Sequence, residues 1–360
     1  MSSYPVSDQE QRVGAEELRA LLTQIWRRCG MADSDAALLA DTLVAADLRG
    51  VHSHGVLRVP EYAAKLLGGG VDPAGRPRVV VDNGATIVVD GGNSMGQIGS
   101  NFAMREAIER ARRHNIAAAA VRGSNHCGAM ACFAMQALAE DMIGIVTTNA
   151  LPTMAPWGGV ERVLGINPLA VAVPAAEEPP IVLDAAFSGS SHGKIRVYHQ
   201  KGVAIPSNWA FDQQGRPTTD PAVAIEGLLQ PIGEYKGAGL ALIMGILSSL
   251  LSGAAYGTEL GDMQNGPKPG RDGHFFLALR IAAFEDPVRF KSRVDGIIRE
   301  LRSSRRAEGV GRLYAPGELE AETERRYLRE GIPLHEATLE AMAVVARRLG
   351  LSGSLRRAAE

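Results

Sequence analysis

Cysteine is scarce in this chain: Cys29, Cys127 and Cys132 are the three in 360 residues, and no CxxC pair occurs among them. That excludes a disulfide framework and indicates a reduced, cytoplasmic setting. Aromatic residues make up only 5%, which argues against a base-stacking surface. Neither sign of charge is in excess, with 38 Lys+Arg against 40 Asp+Glu and a net charge of −2. Nothing in that balance draws nucleic acid or anionic lipid. The start, MSSYPVSDQEQR, lacks a basic residue followed by an apolar run, so no secretory signal is read there. Long apolar runs are absent but for residues 237–256, an uncharged stretch long enough to span a bilayer. It holds four Gly and three Ser, no second such segment exists, and no basic cluster flanks it. It therefore reads as a buried helix of a protein without membrane contact, or as an oligomer interface.

Several catalytic signatures are also missing. No GxGxxG follows a strand, and residues 91–96, GGNSMG, have the wrong spacing, so an ordinary Rossmann site is not supported. There is no GxxxxGK[ST] or HExxH.

What is present is a strongly patterned chain. Leu18, Leu21, Leu22, Ile25 and Trp26 recur at helical spacing and Gly30 stops that helix. Further helices are predicted over about 34–49 and 57–67. Residues 78–82, 86–90, 116–121, 143–148, 169–174 and 180–184 are short β-branched or alanine-rich runs bounded by turn residues. Helices are expected at 97–113, after residue 128 and at 193–202; a strand at 275–284; and helices at 287–304, 320–329 and 335–349. Strands alternating with helices indicate an α/β (α+β) fold, with a helical domain built from both chain ends around a sheet-rich middle. The expected division is a helical part over 1–80 and a sheet domain over 81–235. The remainder, 236–360, is the long helix, a strand and C-terminal helices packing with the N-terminal part.

Three groups of residues offer chemistry. Residues 49–58, RGVHSHGVLR, lie between two helices, and within seven of them stand His52, Ser53, His54 and Arg58. A helix start supplies free N–H groups for an anion, and Arg58 a planar grip on a carboxylate. The alternative is a plain polar turn capped by Ser53. Residues 124–128, SNHCG, follow an apolar strand, where His126 is placed to hold or release a proton; a loop histidine bonded to its own backbone is the alternative. Cys127 beside it reads as a small buried residue rather than a nucleophile. Thr148-Asn149, Asp184 and Lys236 supply hydroxyl, amide and charged groups suited to a cofactor with sugars and phosphates, or else serve as caps and surface charges.

Taken in order, RGVHSHGVLRVPEY (49–62), DGGNSMGQIGSNFAM (90–104), GSNHCGA (123–129), INPLAVAVP (166–174) and YKGAGLALIMGIL (235–247) resemble the type 2 malate/L-lactate dehydrogenase family. The likeness runs from about residue 14 to 350. It implies a non-Rossmann nucleotide-binding sheet domain, NAD or NADP as cofactor, a small carboxylic acid substrate and a homodimer. By the same resemblance the proton-transferring histidine falls on His126 and the substrate side on Ser53, His54, Arg58 and Tyr62. The cofactor side falls on Asp184, Ala185, Ala186, Lys236 and the turn Pro316-Gly317-Glu318. Two positions depart from the family pattern, Phe187 after the Asp184 strand and Ala238 in the KGAGLA stretch. Two other readings stay open: a metal-dependent hydrolase using His52, His54 and His126, and an inactive relative, suggested by Phe187 and Ala238.

Overall fold

The computed structural model describes residues 10–263 and 266–351. The chain opens with β1 (Glu10–Val13), α1 (Ala15–Arg28), α2 (Asp33–Leu48) and α3 (Val59–Gly68). The sheet region follows with β2 (Arg78–Asp82), β3 (Thr86–Asp90), α4 (Gly96–His114), β4 (Ile116–Ser124), α5 (Ala131–Ala134), β5 (Met142–Thr148), β6 (Leu169–Val173) and β7 (Ile181–Ala185). A third lobe carries α6 (His192–Gln200), β8 (Ala210–Phe211), β9 (Pro217–Thr218), α7 (Pro221–Glu226), β10 (Leu228–Leu229) and α8 (Tyr235–Gly245). The last stretch supplies β11 (Asp272–Arg280), α9 (Pro287–Ser303), α10 (Glu318–Glu330), β12 (Ile332–His335) and α11 (Glu336–Arg348).

The seven-stranded sheet has the order β2-β3-β4-β11-β5-β6-β7, and β3–β4 is its parallel pair; the other neighbours are antiparallel. A Rossmann sheet is parallel, so this is a different α/β architecture, as the missing glycine fingerprint indicates. Alanine explains how α4 lies close against it. Ala103, Ala107 and Ala111 repeat every four residues on α4 and meet Ala117, Ala119 and Val121, the inward side chains of β4. On the same core, Phe133 and Phe276 meet edge to face with centroids 6.3 Å apart.

The two chain ends do build one helical assembly. Val13 pairs with Ile332 across β1 and β12, and Leu22, Trp26, Leu39, Leu43 and Val59 share a core with Leu334, Met342 and Ala346. Two segments grouped with that assembly by the sequence pattern go elsewhere. Residues 272–280 form the central strand of the sheet, between β4 and β5. Helix α9 packs Val294 and Ile298 near Val173 and Ile181 at the sheet's edge, where buried Asp295 accepts the N–H groups of Ala176, Glu177 and Glu178 at 3.0–3.2 Å.

The apolar stretch 237–256 is also not one buried helix. After α8 it continues as a single π-turn, Ile246–Leu250, before Gly253 turns the chain at φ 76°. Ala238 and Ala241 face the lobe core, while Leu240, Ile243, Leu250 and Leu251 are each about half exposed. Among the described residues no helix is long and apolar enough to cross a membrane.

Candidate active site

Because β4 and β5 both run antiparallel to β11, their C-terminal ends meet its N-terminal end. Ser124 lies opposite Asp272 and Thr148 opposite His274. His274 is fully buried there, its Nδ1 2.7 Å from Thr148 Oγ1 and its Nε2 2.8 Å from Ser124 Oγ. This bridge fixes the three strand ends from which the loop with Asn125 and His126 departs. Asn125 is locked in turn: its Nδ2 donates to the Ser94 carbonyl at 2.9 Å, and its Oδ1 accepts the Gly270 N–H at 2.9 Å.

The opposite wall is the turn between α2 and α3. The sequence reading expected a helix over about 57–67; the structure places two single 3-10 turns, His52–His54 and Val56–Arg58, broken at Gly55, ahead of α3. Asp47 is the reason. This fully buried carboxylate accepts the Val56 N–H at 2.8 Å and sits 2.7 Å from His52 Nδ1. A Cβ at Gly55 would lie 2.2 Å from its oxygens, so only glycine fits. The turn thereby directs His54 and Arg58 the same way. His54 stacks on His126 with centroids 5.6 Å apart, and its Nδ1 is 2.9 Å from Ser53 Oγ. Arg58 Nε donates to the Ser53 carbonyl at 2.7 Å and Nη1 to Glu61 at 2.8 Å. From α3, the Tyr62 hydroxyl reaches His126 Nδ1 at 2.7 Å.

Between these walls and the third lobe lies a cavity of about 440 Å³, with Arg58, Tyr62, His126 and Asn149 in its lining. A wider groove between α2 and α4 contains none of the candidate residues, and its charges pair internally, as Arg112 with Glu140 at 2.6 Å. Electrostatics at the cavity favour neutral histidines. Burial and the Arg58 charge bring His54 down to about 3, and burial, Arg58, His54 and His274 hold His126 well below its ordinary value. His126 lines the cavity, and both residues are part-exposed. Burial pushes the Cys127 thiol up to about 12, so it is a core residue and not a nucleophile.

The remaining candidates separate. Thr148 is spent on His274, and the Asn149 side chain ties Ser249, the Ala255 carbonyl and the Gly273 N–H together. Asp184 lies on β7 and accepts the Ala131 N–H at 2.8 Å; beside it the Pro316 carbonyl accepts from Val182, which brings Asp184–Ala186 and Gly317 to one sheet edge. Glu318 is buried and holds the Ala315 N–H and Arg302 at 3.0 Å, so it builds that turn rather than offering a free carboxylate. Lys236 is exposed in the first turn of α8, outside the cavity lining. His52 turns away onto Asp47 and Tyr327. Among the described residues no group of three His, Cys, Asp or Glu side chains is arranged to hold a metal, which leaves the hydrolase reading without its site. Phe187 and Ala238 both lie in the lobe core with Ile195 and Trp209, so the two departures are packing residues.

Sequence reasoning passed over Asp47, Gln97, Lys65 and Asp272. Gln97 stands inside the stretch 90–104 that carried the resemblance, yet its role depends on Tyr62, 35 residues away. Lys65 and Asp272 join the cavity wall from distant segments, and burial pushes Asp272 up to about 7.

Comparison with known proteins decides the family. The malate/L-lactate dehydrogenase family model matches residues 13–343. The chain belongs to that family. It is 36% identical to a malate dehydrogenase of Pyrococcus abyssi over 95% of this chain and 96% of the relative. It is 35% identical to an L-sulfolactate dehydrogenase of Methanocaldococcus jannaschii over 94% of this chain and 97% of the relative. A solved malate dehydrogenase from Entamoeba histolytica superposes with a TM-score of 0.92 at 31% identity, covering 96% of this chain and 99% of that one. This family member is therefore an oxidoreductase of hydroxy acids, and the family implies a nicotinamide cofactor.

The cavity fits such a group. Thr153 Oγ1 and His192 Nε2 are buried polar atoms in its lining without a partner among the described residues. Arg196, also in the lining, has no ion pair among the described residues. Unsatisfied donors and a free cation suit a ligand rich in hydroxyl and phosphate oxygens.

Buried neutral histidines also set an acid limit on stability. An unfolded histidine titrates near 6.5, and burial lowers folded His274 to about 4. Between those values the unfolded chain binds a proton that the folded chain refuses, so stability falls as pH drops. The contribution is whole above pH 6.5, and His274 alone removes about 1.4 kcal/mol per pH unit below it. Urea midpoints at pH 7.5, 6 and 5 test this, and a midpoint constant to pH 5 counts against it.

Proposed function

We propose that this protein moves hydride between NAD or NADP and C2 of a small 2-hydroxy or 2-oxo acid, or a cyclic imino acid, with His126 as the acid/base at the substrate's oxygen or nitrogen. The observation that carries the reading is one cavity wall on which Arg58, Tyr62 and His126 converge beside unsatisfied polar atoms. Arg58 meets the carboxylate, and Ser53 and His54 fix the orientation of the turn that holds it. When bound, the nicotinamide supplies or accepts the hydride. The chain's share is orientation and electrostatics, with water kept from most of the site. On the cofactor side we assign Asn149 to the cavity and Thr148 to the network behind it. Asp184, Ala185, Ala186, Gly317 and Glu318 form a second cluster at β7, and Lys236 an outlying cation. The three unpaired cysteines support a reducing, cytoplasmic setting. A 340 nm assay with both cofactors tests the function against malate, lactate, sulfolactate, ureidoglycolate, diketogulonate and piperideine-carboxylate. No turnover with any of them rejects it.

We also propose a homodimer whose contact covers the outer face of α8. Leu240, Ile243, Leu250 and Leu251 form an apolar patch of a kind that soluble monomers seldom leave to water. Light scattering at micromolar concentration is expected to give the dimer mass, and Ile243→Glu a shift toward monomer. A monodisperse, active wild-type monomer refutes the contact.

A further inference from the structure

We propose that Tyr62 and Gln97 are positioning residues that hold His126 with its ring proton on Nε2, and so set whether it donates or accepts a hydrogen bond at the substrate. The inference rests on His126 being the group that meets the substrate oxygen. It follows from which atoms near the ring have a single hydrogen-bonding role. The Gly128 backbone N–H lies 3.3 Å from His126 Nδ1, and a backbone N–H is always a donor. The Gln97 amide nitrogen, also a donor only, reaches the Tyr62 hydroxyl oxygen at 3.1 Å. With one of its lone pairs so engaged, the Tyr62 hydroxyl directs its hydrogen at His126 Nδ1, 2.7 Å away. Two donors converge on Nδ1, and a proton there would face both. The proton belongs on Nε2.

The surroundings agree. Burial raises the Tyr62 phenol far above its ordinary value, so its hydrogen is available to donate. The charged or titratable groups facing His126 are Arg58 and His54 from the turn, Tyr62 from α3 and His274 from β11, with Cys127 adjacent. Arg58, His54 and His274 all disfavour an imidazolium. Lys65 and Asp272 line the same cavity. A neutral imidazole with Nε2–H is a hydrogen-bond donor, suited to polarising a substrate carbonyl. Acting as a base on a substrate hydroxyl requires the other tautomer, with Nδ1–H donating to the Tyr62 oxygen. Tyr62 then needs an acceptor for its own hydrogen. Gln97 Oε1 is a fully buried carbonyl oxygen with no partner among the described residues, and rotation of the amide brings it to Tyr62. The imidazole keeps one proton throughout this change, exchanging Nε2–H for Nδ1–H through solvent. Gln97 is thus the element whose two orientations select the two tautomers.

The test reads the tautomer directly. Full-length protein labelled with ¹⁵N-histidine is studied by two-bond ¹⁵N–¹H correlation, with His126→Ala used to assign the ring. Wild type is expected to show Nε2 protonated. Gln97→Glu replaces the donor by a carboxylate that accepts from Tyr62, so the pattern is expected to invert to Nδ1–H. The pH at which His126 titrates then rises by about one unit or more. Tyr62→Phe leaves only the Gly128 donor, which should give a mixture of tautomers and roughly tenfold lower kcat at unchanged cofactor Kd. Wild type with Nδ1–H, or Nε2–H retained without change in both variants, overturns the proposal. If Gln97→Glu does not fold, the wild-type spectrum and Tyr62→Phe still decide. Unchanged turnover in His126→Ala instead removes the histidine from the reaction and leaves the tautomer result standing.

Discussion

His126→Ala is expected to lower kcat by about 10²–10⁴ while cofactor affinity stays within a few-fold, the range associated with losing one positioned acid/base. The expectation follows from where the side chain lies. His126 leaves the sheet at the ends of β4, β5 and β11, where Ser124, His274 and Thr148 form a closed network, so its ring is held by a rigid platform. It faces the cavity and stacks on His54, whose own ionisation burial and Arg58 suppress. Alanine leaves that platform and the rest of the lining in place, so binding survives while the group at the reacting oxygen is gone. Purified variant and wild type are compared by steady-state kinetics and by fluorescence titration of the reduced cofactor. Turnover within threefold of wild type removes His126 from the mechanism. A parallel loss of cofactor affinity makes it a structural residue.

How much of this was legible beforehand depends on the distance over which each feature is encoded. Helix α1 is local: its buried Leu18, Leu22 and Ile25 recur at helical spacing, and Gly30 ends it at φ 95°. The same holds for α9–α11, whose ends fall within a few residues of the expected ones. Strand β11 is not local. It looks like an isolated run near the C-terminus, and its place in mid-sheet depends on partners about 130–160 residues earlier. The stretch 237–256 defeats pattern reading for a different reason. Being apolar all round, it carries no record of which side meets the lobe core and which stays open. In the site, the 49–62 and 123–129 motifs pointed to His54, Arg58, Tyr62 and His126, which the fold brings together, while Asp47 and Gln97 escaped notice. Each acts through a neighbour: Asp47 by shaping the turn beneath Gly55, Gln97 by orienting Tyr62. Such residues have no chemistry of their own to advertise in a sequence.

Arg58→Ala is expected to cost about 2–5 kcal/mol in kcat/KM for an acid substrate, with cofactor affinity held, because a desolvated carboxylate loses its cation. The geometry adds a second reason. Arg58 Nε is fixed by the Ser53 carbonyl and Nη1 by Glu61, while Nη2 faces the start of α6, 3.7 Å from where a Gly193 Cβ would stand. Glu61 lines the same cavity, so removing Arg58 both deletes the cation and leaves a carboxylate facing the incoming anion. Part of the loss is therefore repulsion. The double variant Arg58→Ala/Glu61→Gln is expected to recover a measurable fraction of it. Arg58→Lys keeps the charge but not the planar fork that bonds Ser53 and Glu61 together, so substrate affinity should fall less than with alanine yet remain below wild type. The decisive comparison is with a neutral analogue. The amide of the best acid substrate, lacking the carboxylate, should be turned over poorly by wild type and be nearly indifferent to Arg58→Ala. Should the variant penalise amide and acid equally, Arg58 only holds the turn of Ser53 and His54 in shape. The carboxylate must then be met by another cation of the cavity, with Lys65 and Arg196 the next to replace.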